Sequence, residues 1–225
     1  VNNVEVLGCP SIFTFGKVPE LRKVVASEVS RIGVGPTRYV LNKVNDTNRF
    51  DKQRQLYQFA IREASSIYYQ SEQYEIQELA RENQRDSEQD ALAQHYYGIY
   101  DQKKLSNALL EKGKYHTHLS SWLTDVRKDD IYIGTRIHGA IAATLAGTPP
   151  ILITHDNRTK ELAKEMAVPS ISLDEFKVES LLDLPSLMEQ LDYNKYRRRT
   201  ELNIKKLMQF YKKNNVKNIL NLESK

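Results

Sequence analysis

The chain has a single cysteine, Cys9, in 225 residues, which excludes an internal disulfide and a thiolate zinc cluster and fits a reducing compartment. No run approaches the roughly eighteen consecutive apolar residues of a membrane span, and the mean hydropathy of −0.59 agrees. The opening residues Val1 to Gly8 have neither the basic flank nor the apolar core of a signal peptide. The expected location is therefore the cytoplasm, with any membrane contact peripheral, at the inner face. An initiating Met is lacking too, so the chain reads as a fragment or a processed product. There is little excess charge of one sign: 33 basic residues stand against 29 acidic ones, for a net +4. A general nucleic-acid binder usually carries more, so no nucleic acid is expected as partner, whereas phosphate or an anionic small molecule is compatible. Internal repeats and low-complexity linkers are also missing.

What is present is an alternation of strand and helix signals. Val4-Glu5-Val6-Leu7 reads as a short strand that Gly8-Cys9-Pro10-Ser11 leaves as a loop. Gly33-Val34-Gly35-Pro36 reads as a turn before a strand at Tyr39-Val40-Leu41. Phe50, Leu56, Phe59 and Ile61 give residues 48–64 one apolar helical face, and Ile67-Tyr68-Tyr69-Gln70 is the next strand. Residues 72–94 are polar and suit solvent-facing helix. Helices follow at 103–111 and at 120–126, the second opening on Ser120 as a cap. Ile131-Tyr132-Ile133, a small-residue helix from His138 to Ala146, and Pro150-Ile151-Leu152-Ile153 form a compact strand, helix, strand unit. Helices at 158–166 and 178–191 flank a brief strand at 169–171, and a basic helix runs from Tyr193 to Lys213. The pattern predicts a doubly wound, mostly parallel Rossmann-like α/β sheet over residues 1–192, followed by a carboxyl-terminal basic helix and tail at 193–225. In such sheets ligands sit outside the carboxyl ends of the strands.

Gly134-Thr135-Arg136-Ile137-His138-Gly139 lies at such an end and opens a helix. Unpaired backbone N–H groups in the first helical turn favour phosphate or carboxylate, and Gly139 lets a ligand approach the backbone. Arg136 can add a bidentate fork to the same anion, and His138 can give or take a proton near neutral pH. The alternative is structural: Arg136 pairs with a surface carboxylate and His138 is a buried, hydrogen-bonded residue.

These residues, with Val6-Leu7-Gly8-Cys9-Pro10-Ser11 before them, Ala140-Ile141-Ala142-Ala143-Thr144-Leu145-Ala146-Gly147-Thr148-Pro149 after them, and Pro150-Ile151-Leu152-Ile153 leading to Asp156 and Lys160, resemble the polysaccharide pyruvyl transferase family. Residues 50–128 carry no matching motif. The resemblance implies the carboxyl-terminal half of a two-domain, glycosyltransferase-B-like fold, with a donor-binding domain in this chain. It implies transfer of an enolpyruvyl unit from phosphoenolpyruvate, a substrate rather than a cofactor, to a sugar diol of a surface polysaccharide precursor, forming a ketal. The acceptor would be a saccharide or a lipid-linked oligosaccharide. It also implies that Arg136 binds the donor anion and that His138 is the proton donor or a phosphate ligand. Family members usually have a further amino-terminal stretch with an arginine-bearing segment, so the chain alone is expected to be incomplete and inactive.

Further candidates stand beside structural readings. Ser11 could touch donor or acceptor, or merely close a turn; Cys9 reads as inert, since nothing local activates it. Gln70 and Glu72 at a strand end could bind sugar hydroxyls or be solvated. His155, Asp156 and Arg158 face the expected cleft, although Asp156 could cap the next helix and Asn157 reads as the better cap. His116 and His118 lack a third ligand and are not read as a metal site, and no metal or other cofactor is expected. Arg197-Arg198-Arg199 reads as a solvated basic face. Two other functions remain open: a nucleotide-sugar glycosyltransferase, whose pyrophosphate the same helix terminus would hold, and a non-catalytic half-domain binding sugar or a partner chain.

Overall fold

Ile131-Tyr132-Ile133-Gly134 and Pro150-Ile151-Leu152-Ile153-Thr154 are apolar at almost every position, so neither face of such strands can be left to water. The structure, a computed structural model describing residues 4–37, 47–81 and 87–217, buries both faces in a six-stranded, all-parallel sheet flanked by helices. In chain order the strands are β1 (Ile32–Gly35), β2 (Ser66–Tyr69), β3 (Gly113–Tyr115), β4 (Ile131–Gly134), β5 (Pro150–Thr154) and β6 (Ser170–Ser172). Their spatial order is β3-β2-β1-β4-β5-β6. The chain thus builds outward from β1 in one direction, then returns to lay β4 on its other side, with Gly35 beside Gly134. That reversal creates a crevice above the carboxyl ends of β1 and β4.

Helices α1 (Thr47–Glu63), α2 (Gln73–Ala80), α3 (Ser87–Tyr97) and α4 (Gln102–Lys112) link β1 to β3 through β2. α5 (Leu119–Val126), α6 (Ile137–Ala146) and α7 (Asn157–Met166) connect the later strands, and α8 (Leu184–Glu189) and α9 (Tyr193–Lys213) complete the fold. The period of two along each strand divides the core. Ile131, Ile133, Ile151 and Ile153 pack with Leu56 and Tyr57 of α1, Tyr96 and Tyr97 of α3, and Leu105 and Leu109 of α4. Tyr68, Tyr132 and Leu152 pack on the opposite face with α5, α6, α7 and α9. α6 is buried all round apart from His138, as its small, apolar composition requires, and ends at Gly147 in the left-handed conformation (φ 84°). No helix among the described residues is long and apolar enough to cross a membrane.

Several local expectations are corrected. Val4 to Leu7 is not a strand: it lies outside the sheet, with Val4 and Val6 exposed. Gly33 and Gly35 do not form a turn but lie within β1. A Cβ on Gly33 would sit 2.5 Å from Asp129 Oδ2, and one on Gly35 would overlap the Tyr132 hydroxyl, so close packing across the sheet demands these glycines. The strand expected at Tyr39 to Leu41 falls outside the described residues. The polar stretch 72–94 is not simply solvent-facing: α2 buries Tyr74 and Glu75, and α3 buries Ala93, Tyr96 and Tyr97. Ser120 does not cap α5, which begins at Leu119 after His118. The single helix expected at 178–191 breaks into a 3-10 helix, Val178–Leu182, and α8, because Asp183 caps a new start and Pro185 suits a first turn.

Candidate functional site

The crevice at the switch point holds a cleft of about 240 Å³. Thr37 reaches it after β1, Gln70 after β2, Thr135 and Arg136 after β4, Ile137 and His138 from α6, and His155, Asp156 and Arg158 after β5. Each strand ends where its backbone bonds run out, so the following loop residues project into the same hollow. Thr135 ties the first two loops together by donating its N–H to the Gly35 carbonyl at 3.1 Å.

Arg136 is the extended residue immediately before α6. Its Nη2 donates to Ser71 Oγ at 2.7 Å and to Glu72 Oε1 at 2.6 Å. The other Glu72 oxygen accepts the backbone N–H groups of Gln70 at 3.0 Å and Ser71 at 3.1 Å. Burial pushes the Glu72 carboxyl up, but the Arg136 charge and these hydrogen bonds outweigh it and hold the group below its ordinary range. Glu72 is thus a buried anion engaged on both oxygens, whereas the Arg136 side chain keeps 25% of its surface exposed. Arg136 Nε has no hydrogen-bond partner among the described residues. Both bonds leave from Nη2, so the guanidinium is anchored at one corner.

His138 is exposed in the first turn of α6. Its Nε2 lies 3.6 Å from Cys9 Sγ, which in turn is 2.9 Å from Ser11 Oγ. The opening segment reaches α6 without being a strand because Ile12 and Phe13 are buried in the same core. Gly8, at φ 81°, turns the chain against Met166, whose Sδ accepts the Cys9 N–H at 3.3 Å. Gly139 keeps the floor of the site thin: a Cβ there would overlap the Tyr132 hydroxyl and come within 3.2 Å of Gln70 Nε2. That amide nitrogen is buried and unpartnered among the described residues.

On the β5 side, His155 is only 5% exposed, and burial is the main reason its imidazole is held below the ordinary histidine range. Asp156 caps α7, with Oδ1 accepting the Thr159 N–H at 2.6 Å and Thr159 Oγ1 accepting the Asp156 N–H at 3.2 Å. The cap is therefore Asp156 and not Asn157, which is the first helical residue. Arg158 stands exposed at the rim, with no ion pair among the described residues. Lys160 lies beyond the cleft, 3.4 Å from Asp174.

The structure therefore gathers Arg136, His138, Gln70, His155, Asp156 and Arg158 around one hollow, with Gly139 buried behind it against Tyr132 and Ser11 linked to it through Cys9. Of the structural alternative, the ion pair is present, although its carboxylate, Glu72, is buried and not at the surface, whereas His138 is exposed and not buried. Sequence reading missed Ser71 and the contact of Cys9 with His138; only Ser71 had a signal, its place between Gln70 and Glu72. His116 instead pairs with Asp125 at 3.3 Å, and no group of three His, Cys, Asp or Glu residues among the described ones could hold a metal ion. Arg197, Arg198 and Arg199 each meet an acidic residue, Glu201, Asp192 and Glu165.

An all-parallel sheet with its strand order reversing at a basic, glycine-floored crevice defines a Rossmann-like α/β protein. The family model for polysaccharide pyruvyl transferase matches residues 1–157, about two thirds of the chain, and the chain belongs to that family. Membership makes it a transferase-family protein of polysaccharide biosynthesis. No curated protein matches the chain.

Proposed function

We propose that the crevice binds phosphoenolpyruvate and that the protein passes its enolpyruvyl unit to a sugar diol of a polysaccharide precursor, forming a ketal. The observation that carries this reading is Arg136, anchored through Nη2 by buried Glu72 and by Ser71 beside the first turn of α6 and two residues from exposed His138. A guanidinium and a helix N-terminus together suit a small dianion. His138 supplies a proton to the methylene carbon, which becomes the methyl group. A sugar hydroxyl attacks the oxocarbenium-like carbon so formed. Phosphate then departs, neutralised by Arg136, and the second hydroxyl closes the ketal. The two hydroxyl protons balance the one taken up by carbon and the one carried off by phosphate.

Glu72 acts by orienting Arg136. Gln70, His155, Arg158 and Ser11 line the donor or the approach of the acceptor, Gly139 keeps the helix backbone that receives the donor close above Tyr132, and Asp156 sets the α7 end of the wall. The acceptor is a saccharide, free or lipid-linked, and the reaction takes place in the cytoplasm at or near the inner membrane face. Calorimetric titration with phosphoenolpyruvate and with nucleotide sugars separates this function from glycosyl transfer. Saturable binding of phosphoenolpyruvate is expected, and tight binding of a nucleotide sugar with no response to phosphoenolpyruvate would sink the proposal.

A further inference from the structure

Tyr132 in β4 carries a hydroxyl that the fold buries completely and leaves without a hydrogen-bond partner among the described residues. Its surroundings are specific. Gly35, Gly134 and Gly139 come from two strands and one helix, and an added Cβ on any of them would crowd this hydroxyl, at 2.6 Å for Gly134 and by direct overlap for the other two. The Tyr132 oxygen therefore lies against the first turn of α6, close to the point that Gln70 Nε2 also approaches. Gln70 lines the cleft, and its amide nitrogen is likewise buried and unpartnered. The charges of Arg136 and Glu72 are near enough to act on the phenol.

A phenylalanine would fill the same space, keep the ring contact with Tyr68 at 6.0 Å, and avoid stranding a polar atom away from water. The three glycines make room for the tyrosine, but packing gives no use for a hydroxyl left unsatisfied beneath a helix N-terminus. Such a hydroxyl makes sense as a donor awaiting an acceptor. We infer that Tyr132 is a ligand-binding residue whose hydroxyl, beside Gln70 Nε2, donates a hydrogen bond to the anionic group received by Arg136 and α6. This inference rests on the anion-binding part of the function proposed above and adds to it a residue beneath the floor of the cleft.

The test is Tyr132→Phe in the full chain, read by thermal melting without ligand, by calorimetry with phosphoenolpyruvate and by phosphorus NMR with inorganic phosphate. The ligand-free variant is expected to melt at or above the wild-type temperature, because no protein bond is lost. Affinity for both anions is expected to fall about tenfold or more, as for a lost hydrogen bond to a charged acceptor. In turnover, KM should rise more than kcat falls. Wild-type affinity in the variant overturns the inference, as does a ligand-free melting point several degrees lower, which would reveal a bond within the protein. If the wild-type chain binds inorganic phosphate but not phosphoenolpyruvate, the proposed function fails while the phosphate arm still scores Tyr132. Binding of neither anion overturns both.

Discussion

At the scale of single residues, the proposed function depends on how Arg136 and His138 divide the work. Lysine at position 136 would keep the charge but lose the planar guanidinium that Glu72 and Ser71 anchor through Nη2. Arg136→Lys should therefore raise KM for phosphoenolpyruvate about tenfold or more, the loss of one charge-assisted bond. His138→Ala, which removes the proposed acid from an exposed position, should leave the fold intact and lower kcat about a hundredfold or more. Steady-state kinetics with a diol acceptor would check both, and unchanged rates would remove them from the mechanism. Gly139 gives a second residue-scale prediction. Its replacement by alanine drives a methyl into the Tyr132 hydroxyl and toward Gln70. Although alanine favours helix by up to about 1 kcal/mol, overpacking should cost about 1–3 kcal/mol. Gly139→Ala should thus lower the chemical denaturation midpoint, and Tyr132→Phe in the same chain should restore part of it.

At the scale of elements, the end of the sheet opposite the cleft is pinned by a buried acid. Asp129, just before β4, accepts the Tyr68 hydroxyl of β2 at 2.5 Å and the Ser66 hydroxyl at 3.3 Å, under the bare Cα of Gly33 in β1. Burial pushes the Asp129 carboxyl up despite these bonds, and the partly exposed Arg31 lies 3.8 Å away. Three strands therefore share one polar anchor. Tyr68→Phe would strand the carboxylate and should cost about 1–3 kcal/mol of stability, measurable by urea unfolding. A loss below the resolution of that measurement would mean that the anchor is dispensable. The same logic explains why β1 can be half glycine: its stability comes from β2 and β4 on either side, not from its own side chains.

For the whole molecule, buried His155 and part-buried His116 set a pH dependence. Burial is the leading cause that lowers the proton affinity of both His155 and His116 below the ordinary 6.5. The unfolded chain therefore takes up these protons first as pH falls through about 6.5. Their contribution to stability is complete above that value and declines below it, toward the depressed folded values. Between pH 7.5 and 5.5 the denaturation midpoint should fall. His155→Gln should flatten the slope, and an unchanged midpoint across that range would contradict the buried neutral state. Glu72 adds its own term at lower pH. Its depressed carboxyl contributes stability above the ordinary 4.5 that is lost as pH drops through the folded value.

The sequence by itself determined the architecture and the address of the candidate site. Runs apolar on both faces, such as Tyr132-Ile133 and Ile151-Leu152-Ile153, require a sheet covered on both sides, and their alternation with helices requires parallel strands. The adjacency of Arg136 and His138 at the start of α6 was legible because three covalently linked residues carry it. Tertiary structure decided what closes around that address. Glu72 is 64 residues from Arg136, and Cys9 is 129 residues from His138. Gly33 and Gly35 read locally as a turn and become a strand only because Tyr132 and Asp129 approach from β4 and the residue before it. Periodicity records which way each side chain points relative to its chain neighbours. It holds no record of which segment the crossover helices will bring alongside, and that juxtaposition orients the arginine, thins the floor and buries the tyrosine hydroxyl beneath it.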